Sequence, residues 1–171
     1  NALTTAFTNL GKGYAGPIPV PVIIFAIVAL ISWFFLAKTQ FGRYIYAIGG
    51  NEKAALVSGL RVKQLKFLSY VINGMTAALA GILLAARVAV GSPTAGESYD
   101  LLAITAVVVG GTSNAGGTGG ILPSIIGVFI VTVMNNGMDL LGISGYYQKI
   151  VTGVVVLLAV IIDRNNVNRN H

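Results

Sequence analysis

Few side chains in this chain of 171 residues can do chemistry, and their spacing brings no reactive set together. The acids are Glu52, Glu97, Asp100, Asp139 and Asp163; cysteine is absent, and histidine occurs once, at His171. General acid–base catalysis needs titratable groups within reach of a substrate, covalent catalysis needs a nucleophile beside its base, and a metal needs several converging ligands. Acids scattered among loops and the ends of apolar runs supply none of these, so no catalytic residue, metal site or cofactor is expected. Without cysteine there is no disulfide framework or thiolate site. One motif remains, the glycine-rich run Gly110-Gly111-Thr112-Ser113-Asn114-Ala115-Gly116-Gly117-Thr118-Gly119-Gly120. A phosphate-cradling loop would need Gly-Lys-Ser or Gly-Lys-Thr between a strand and a helix, and neither the lysine nor that context is here.

The elements that carry these residues are set by composition. Hydrophobic residues make up 55% of the chain and charged ones 9%, with a mean hydropathy of +0.81, against roughly 25% charged in a soluble domain. A water-soluble globule could not clothe itself with so few charges. The expected fold is all-α, a polytopic transmembrane bundle, because several runs approach the roughly 20 apolar residues needed to cross a ~30 Å hydrocarbon core.

Taken in order, residues 1–16 read as a polar extramembrane loop, and Pro17, Pro19 and Pro21 as an extended entry to the first span, Pro21 to Ala37. The second span runs from Phe67 to about Val90. Its small residues Gly74 and Ala78, and again Ala77 and Gly81, lie four apart, which lets membrane helices approach closely. Asn73 beside them reads either as an interhelical hydrogen bond or as part of a polar path. Leu101 to Val109 is apolar but reaches only about 14 Å as a helix, roughly half the core. It meets the glycine-rich run, which cannot be stable helix. Irregular backbone at membrane depth is tolerated only against protein or a watery cavity, so this is a water-exposed loop or a broken helix beside a pathway. Gly110, Gly111, Thr112, Ser113, Gly116 and Gly117 are therefore candidate path residues. The fourth span is Ile121 to Leu141, with Asn135, Asn136 and Asp139 near its end as further candidates. An acid in mid-bilayer costs about 2.5 to 3.5 kcal/mol on insertion scales, so Asp139 belongs at the interface or facing the bundle interior. A last apolar run covers Ile150 to Ile162.

Between the first two spans lies the polar stretch 38–66, which holds Lys38, Arg43, Lys53, Arg61, Lys63 and Lys66. Its centre is punctuated as a very short helix. Asn51 is a good N-cap, Glu52 an anion in the first turn, Ala54 and Ala55 strong helix formers, and Gly59 a left-handed terminator. About two turns of helix are marginal alone, so the segment needs something to dock against. The positive charge flanks the spans rather than forming a nucleic-acid stripe, so its meaning is topological. If the glycine-rich run completes a crossing, Arg164 and Arg169 join those six cations, against Lys12, Arg87 and Lys149 elsewhere. The positive-inside rule then puts stretch 38–66 and the carboxyl terminus in the cytoplasm, with five crossings in all.

Three stretches resemble one family. Phe41-Gly42-Arg43-Tyr44-Ile45-Tyr46-Ala47-Ile48-Gly49-Gly50-Asn51-Glu52-Lys53-Ala54-Ala55 is similar to the cytoplasmic coupling loop of monosaccharide-type ABC transporter permeases, the membrane subunits of ribose, xylose and galactoside importers. The Gly-Gly-Thr-Ser run resembles a signature of the same permeases, with Thr118 where members often carry Lys or Arg. Asn135-Asn136-Gly137, Leu140-Leu141-Gly142-Ile143-Ser144 and Tyr146-Tyr147-Gln148 make the third. A departure falls at Leu102, where the family commonly has an acid.

The resemblance implies a single permease domain, a carboxyl-terminal portion of a longer chain in the bacterial inner membrane. It implies that Gly50, Asn51, Glu52, Ala54, Ala55, Ser58 and Gly59 couple to a cytosolic ABC ATPase. The other partners implied are a second permease copy, a periplasmic sugar-binding protein and the lipid bilayer, with no nucleic acid. Two other readings stay open: a branched-chain amino-acid permease of the ABC class, and an ion-coupled secondary transporter with the glycine break as its site. The second would normally need an intramembrane carboxylate, and only the flanking Asp139 is near one.

Overall fold

The computed structural model describes residues 2–169. Asn1, expected outside the membrane, and His171, excluded as a metal site, lie outside the described residues. Among those described, the order is α1 (Ala2–Lys12), β1 (Tyr14–Ala15), β2 (Ile18–Pro19), α2 (Val20–Lys38), α3 (Gln40–Gly50), α4 (Glu52–Val57), α5 (Val62–Val88), α6 (Tyr99–Val109), α7 (Ile121–Leu140) and α8 (Gly145–Arg169). The fold is an all-α bundle, with one small antiparallel hairpin pairing Tyr14 with Pro19 and Ala15 with Ile18.

Three helices are long and apolar enough to cross a membrane: α2, α5 and α7. Each covers the span read from sequence to within a few residues. In α2, Pro21 sits in the first turn, where its missing N–H breaks no helical bond. The apolar windows of α2 and α5 bury none of their residues within the chain, so side chains such as Leu30 and Phe34 of α2 stand exposed. Apolar surface on that scale fits lipid rather than water.

The core lies around α6. Thr105, Ala106 and Val108 are buried, and so are Val131 of α7 and Thr152 of α8. The chain folds back after α6, so that Gly110 backs onto the Pro123 carbonyl and Gly127 onto the Ala106 carbonyl. These contacts define an antiparallel pair. The glycine-rich run 110–120 is the connection between its two helices.

That run lies at the far end of the bundle from the start of α6. Glu97, just before α6, is 3.9 Å from Lys149 near the start of α8, whereas Ser113 is bonded to Asp163 near its end. From Lys149 to Asp163 is about 21 Å of helix at ~1.5 Å per residue. Short α6 plus the glycine-rich run therefore extends beside α7 and α8 from the Glu97 end of the bundle to the Asp163 end.

Two local expectations are corrected. Residues 2–12, read as loop, form α1, which packs its Gly11 against the backbone of Ala86 and Arg87 on α5. Phe7 and Leu10 supply an apolar side at helical spacing that the Thr and Asn content obscured. Stretch 38–66 is mostly helix too, since α3 precedes α4. Thr39 caps it, accepting the Gly42 N–H at 3.4 Å. The close helix packing expected at Gly74, Ala77, Ala78 and Gly81 is not made within the described residues, where these positions are exposed.

Candidate functional site

Helix α4 is built as its punctuation dictates. The Asn51 side-chain oxygen accepts the Ala54 N–H at 3.0 Å, with Glu52 in the first turn. At the other end, the Leu60 N–H donates to the Ala55 carbonyl at 3.1 Å and the Gly59 N–H to the Leu56 carbonyl at 3.0 Å. Gly59 holds φ +83°, the left-handed backbone that this double closure requires. Ser58 closes the carboxyl end further, its hydroxyl donating to the Ala54 carbonyl at 2.9 Å.

The helix is seated by packing. Ala55 is 5% exposed and joins Ile48 of α3 and Val62 of α5 in one apolar cluster, bordered by Leu60 and Leu65. A salt bridge, Glu52 to Lys66 at 2.6 Å, also ties α4 to α5, but both side chains are about half exposed. Burying an Ile or Val side chain is worth about 1.5 to 3 kcal/mol, and a surface ion pair at most about 1 kcal/mol. The cluster therefore dominates. Of the residues expected to couple, Ala55 faces inward as the anchor, while Gly50, Asn51, Glu52, Ala54, Ser58 and Gly59 are exposed. Sequence reading missed an exposed apolar pair at the end of α4. Leu56 is 63% and Val57 89% exposed, an apolar tip facing away from the bundle.

Beneath α4, the glycine-rich run is locked against α3. A Cβ on Gly116 would lie 2.7 Å from the Gly49 carbonyl oxygen, and one on Gly117 2.7 Å from the Gly50 Cα. The two backbones thus touch directly, with room for no side chain. The Tyr46 hydroxyl donates to the Gly119 carbonyl at 2.8 Å. On the other flank, Asp163 of α8 accepts from the Ser113 hydroxyl at 2.9 Å and the Asn114 N–H at 3.1 Å. Within the run, the Ser113 N–H donates to the Thr118 carbonyl, and the Gly116 and Ala115 N–H groups reach Ser113. Thr112 lies 3.3 Å from Ser124 of α7, hydroxyl to hydroxyl. The backbone N–H groups from Gly110 to Gly116 all find protein partners, as irregular backbone within a membrane bundle requires. Of these partners, Tyr46, Ser124 and Asp163 were not singled out from sequence; only their long-range contacts reveal them.

At the opposite end, a cavity of about 470 Å³ opens between the start of α6, the end of α7 and the start of α8. Glu97, Thr132, Asn135, Gln148 and Thr152 give it a polar lining, and Leu102, the position noted as a departure from the resembled pattern, stands in its wall. Asp139 is held beside it, accepting from the Gln148 amide at 2.6 Å while that amide also donates to the Ile143 carbonyl at 2.9 Å. Asn136 is exposed, as is Asn73 midway along α5. The candidate path residues therefore divide: Gly110 to Gly117 at the α4 end, Asn135, Asn136 and Asp139 at the cavity end, and Asn73 apart from both. Among the described residues no group of His, Cys, Asp and Glu has metal-binding geometry.

Comparison with known proteins follows the same line. A family model described as "Branched-chain amino acid transport system / permease component" matches residues 2–160. The chain is 52% identical over 158 residues to the ribose import permease protein RbsC of Bacillus subtilis (strain 168), covering 92% of this chain and 49% of that protein. It is 52% identical over 157 residues to RbsC of Escherichia coli (strain K12), covering 92% and 49%. The xylose transport system permease protein XylH of Haemophilus influenzae is 45% identical over 149 residues, covering 87% and 40%. The chain thus spans about half the length, or less, of these curated relatives. No solved structure matches it.

Proposed function

Since the chain belongs to the family of branched-chain amino acid transport system permease components, we propose that it is part of the membrane subunit of an importer powered by a separate ATP-binding-cassette ATPase. Its cargo is a monosaccharide, as the names of the ribose and xylose permeases it resembles suggest. The chain does no bond-making chemistry. Its work is conformational: nucleotide-driven closure of the ATPase displaces α4, and the attached helices follow. A ligand shifts an equilibrium only through differential contact with its two states, so the motor needs a rigid handle on the permease.

One observation carries the reading. Helix α4 is capped at both ends and anchored through Ala55, yet presents Leu56 and Val57 outward. A rigid projection with an apolar tip is what a groove on a soluble partner would hold. We place stretch 38–66 and the carboxyl terminus in the cytoplasm, on the charge asymmetry. Lys12 and Arg87 lie at the other end, where Gly11 of α1 packs on the backbone of Ala86 and Arg87 on α5, and Lys149 lies there by the cavity. The partners follow: the cytosolic ATPase, a periplasmic sugar-binding protein over the cavity end, and a second permease copy, to which the exposed small residues of α5 offer a close-packing surface. The sugar path runs past Asn135 and Asp139 toward the glycine-rich run, with Asn73 and Asn136 bordering it where the rest of the transporter encloses them.

The test is uptake by proteoliposomes holding the full permease, its ATPase and its binding protein. Ribose or xylose entering only with ATP supports the reading. A branched-chain amino acid entering instead would move the cargo to the class named by the family description, and uptake driven by an ion gradient without ATP would make it a secondary transporter.

A further inference from the structure

The run Gly110–Gly120 is wedged between two elements that its sequence does not adjoin, and each holds it differently. On one side α3, continuous with α4 through Asn51, meets it backbone to backbone at Gly49–Gly116 and Gly50–Gly117 and bonds it through Tyr46 and Gly119. On the other, Asp163 takes both the Ser113 hydroxyl and the Asn114 N–H. Ser113 itself is 9% exposed. By contrast, the covalent routes from α4 into the bundle go to α2 and α5, whose apolar windows bury nothing in this chain. Helix α6, the buried centre of the bundle, is joined to α4 along the chain only by the full length of α5 and the loop that follows it. Its direct mechanical connection is the glycine-rich run, bonded to the end of α6 by Gly111 and Thr112, whose N–H groups donate to Val108 and Val107.

We propose that this run is the joint that carries motion of α3 and α4 into α6, and that Asp163 is the positioning residue that holds it against α3. The inference rests on the transport reading above, and it assigns the work within the permease to a path other than the connecting chain. Backbone contact suits a joint. It leaves no side-chain rotamers to absorb a displacement, so a shift of α3 is passed on rather than dissipated. Asp163 then prevents the run from yielding on its free side, and Tyr46 keeps it from sliding along α3.

The experiment compares wild type, Asp163→Ala, Asp163→Asn and Tyr46→Phe in the full importer in proteoliposomes, with ribose and xylose as cargo. It reads sugar moved per ATP hydrolysed and co-purification of the ATPase. Expected for Asp163→Ala is an unchanged ATPase complex and a fall of about tenfold in sugar per ATP, within the range that substitutions along a coupling network produce. Asp163→Asn keeps an acceptor oxygen for Ser113 and Asn114 and should restore most of the ratio; Tyr46→Phe should lower it less than Asp163→Ala. The chain has no cysteine of its own, and in an importer freed of cysteine elsewhere spin labels at Ser58→Cys and Thr118→Cys report the joint directly. Their separation should stay fixed through the nucleotide cycle in wild type and broaden in Asp163→Ala. Full sugar-to-ATP ratio in Asp163→Ala, or a label separation that changes with nucleotide in wild type, overturns the joint while leaving the transport reading intact. Wild type that moves no sugar with ATP overturns the transport reading, and the joint's role with it.

Discussion

Ala55 of α4 is packed against Val62 of α5 across the turn that Gly59 closes, so the shortest of the described helices is anchored to the longest. Leu60 follows Gly59 into the same cluster, which makes the C-cap and the packing one structure. Rigidity of this corner would let a helix of six residues serve as the proposed handle.

The corner predicts an ordering of stabilities. Ile48→Ala should cost about 2 to 5 kcal/mol, as large-to-small core substitutions do. Glu52→Gln should cost less than about 1 kcal/mol, because the Lys66 pair is half exposed. Thermal unfolding in nanodiscs distinguishes the two, and a Glu52→Gln loss as large as that of Ile48→Ala would contradict the dominance of packing.

The cap at Asn51 makes a local prediction. Asn51→Ala removes the acceptor of the Ala54 N–H and should destabilise α4 by about 1 kcal/mol, whereas Asn51→Ser should not. Hydrogen exchange over residues 52–58 is the measurement, with about fivefold faster exchange expected in the alanine variant.

Helix α6 approaches α7 at Ala106 and Gly127 with no room for a side chain. Gly127→Leu should therefore separate the pair and abolish stable folding, while Gly74→Ala, at an exposed site on α5 with nothing nearby, should not lower the monomer's unfolding temperature and should raise it slightly through helix propensity. If the small residues of α5 meet a second copy, the latter substitution alters the oligomer seen by native mass spectrometry instead.

At the cavity end, the Gln148 amide bridges Asp139 and the Ile143 carbonyl. Gln148→Leu leaves that carboxylate without its donor and should lower stability by about 1 to 2 kcal/mol, reduced from the value for a buried charged hydrogen bond by the exposure of Asp139. Asp139→Asn in the same background should recover part of the loss, and its failure to do so would separate Asp139 from the effect.

The parts of the fold legible in sequence are those fixed by local rules. Asn51, Glu52 and Gly59 act within one helical turn of themselves, so their roles follow from residue type and order. The long spans are legible because twenty apolar residues have few other uses. Helix α1 was hidden by Thr and Asn, whose turn preferences masked the spacing of Phe7 and Leu10, and α3 by the glycines and aromatics that make Phe41 to Gly50 look irregular. The contacts Gly49–Gly116 and Ser113–Asp163 depend on which distant segments the bundle brings together. Glycine density told that the backbone would be irregular; only the fold tells what it touches.

The central claim is that the outward tip of α4 enters a groove on a soluble ATPase. The direct measurement places a photo-crosslinking amino acid at Val57, 89% exposed, in the full permease within native membranes, and identifies what it captures. The account predicts a single adduct with the nucleotide-hydrolysing subunit, lost when Leu56 is replaced by Glu. Capture of a periplasmic protein or of lipid alone, with no ATPase adduct, would contradict it.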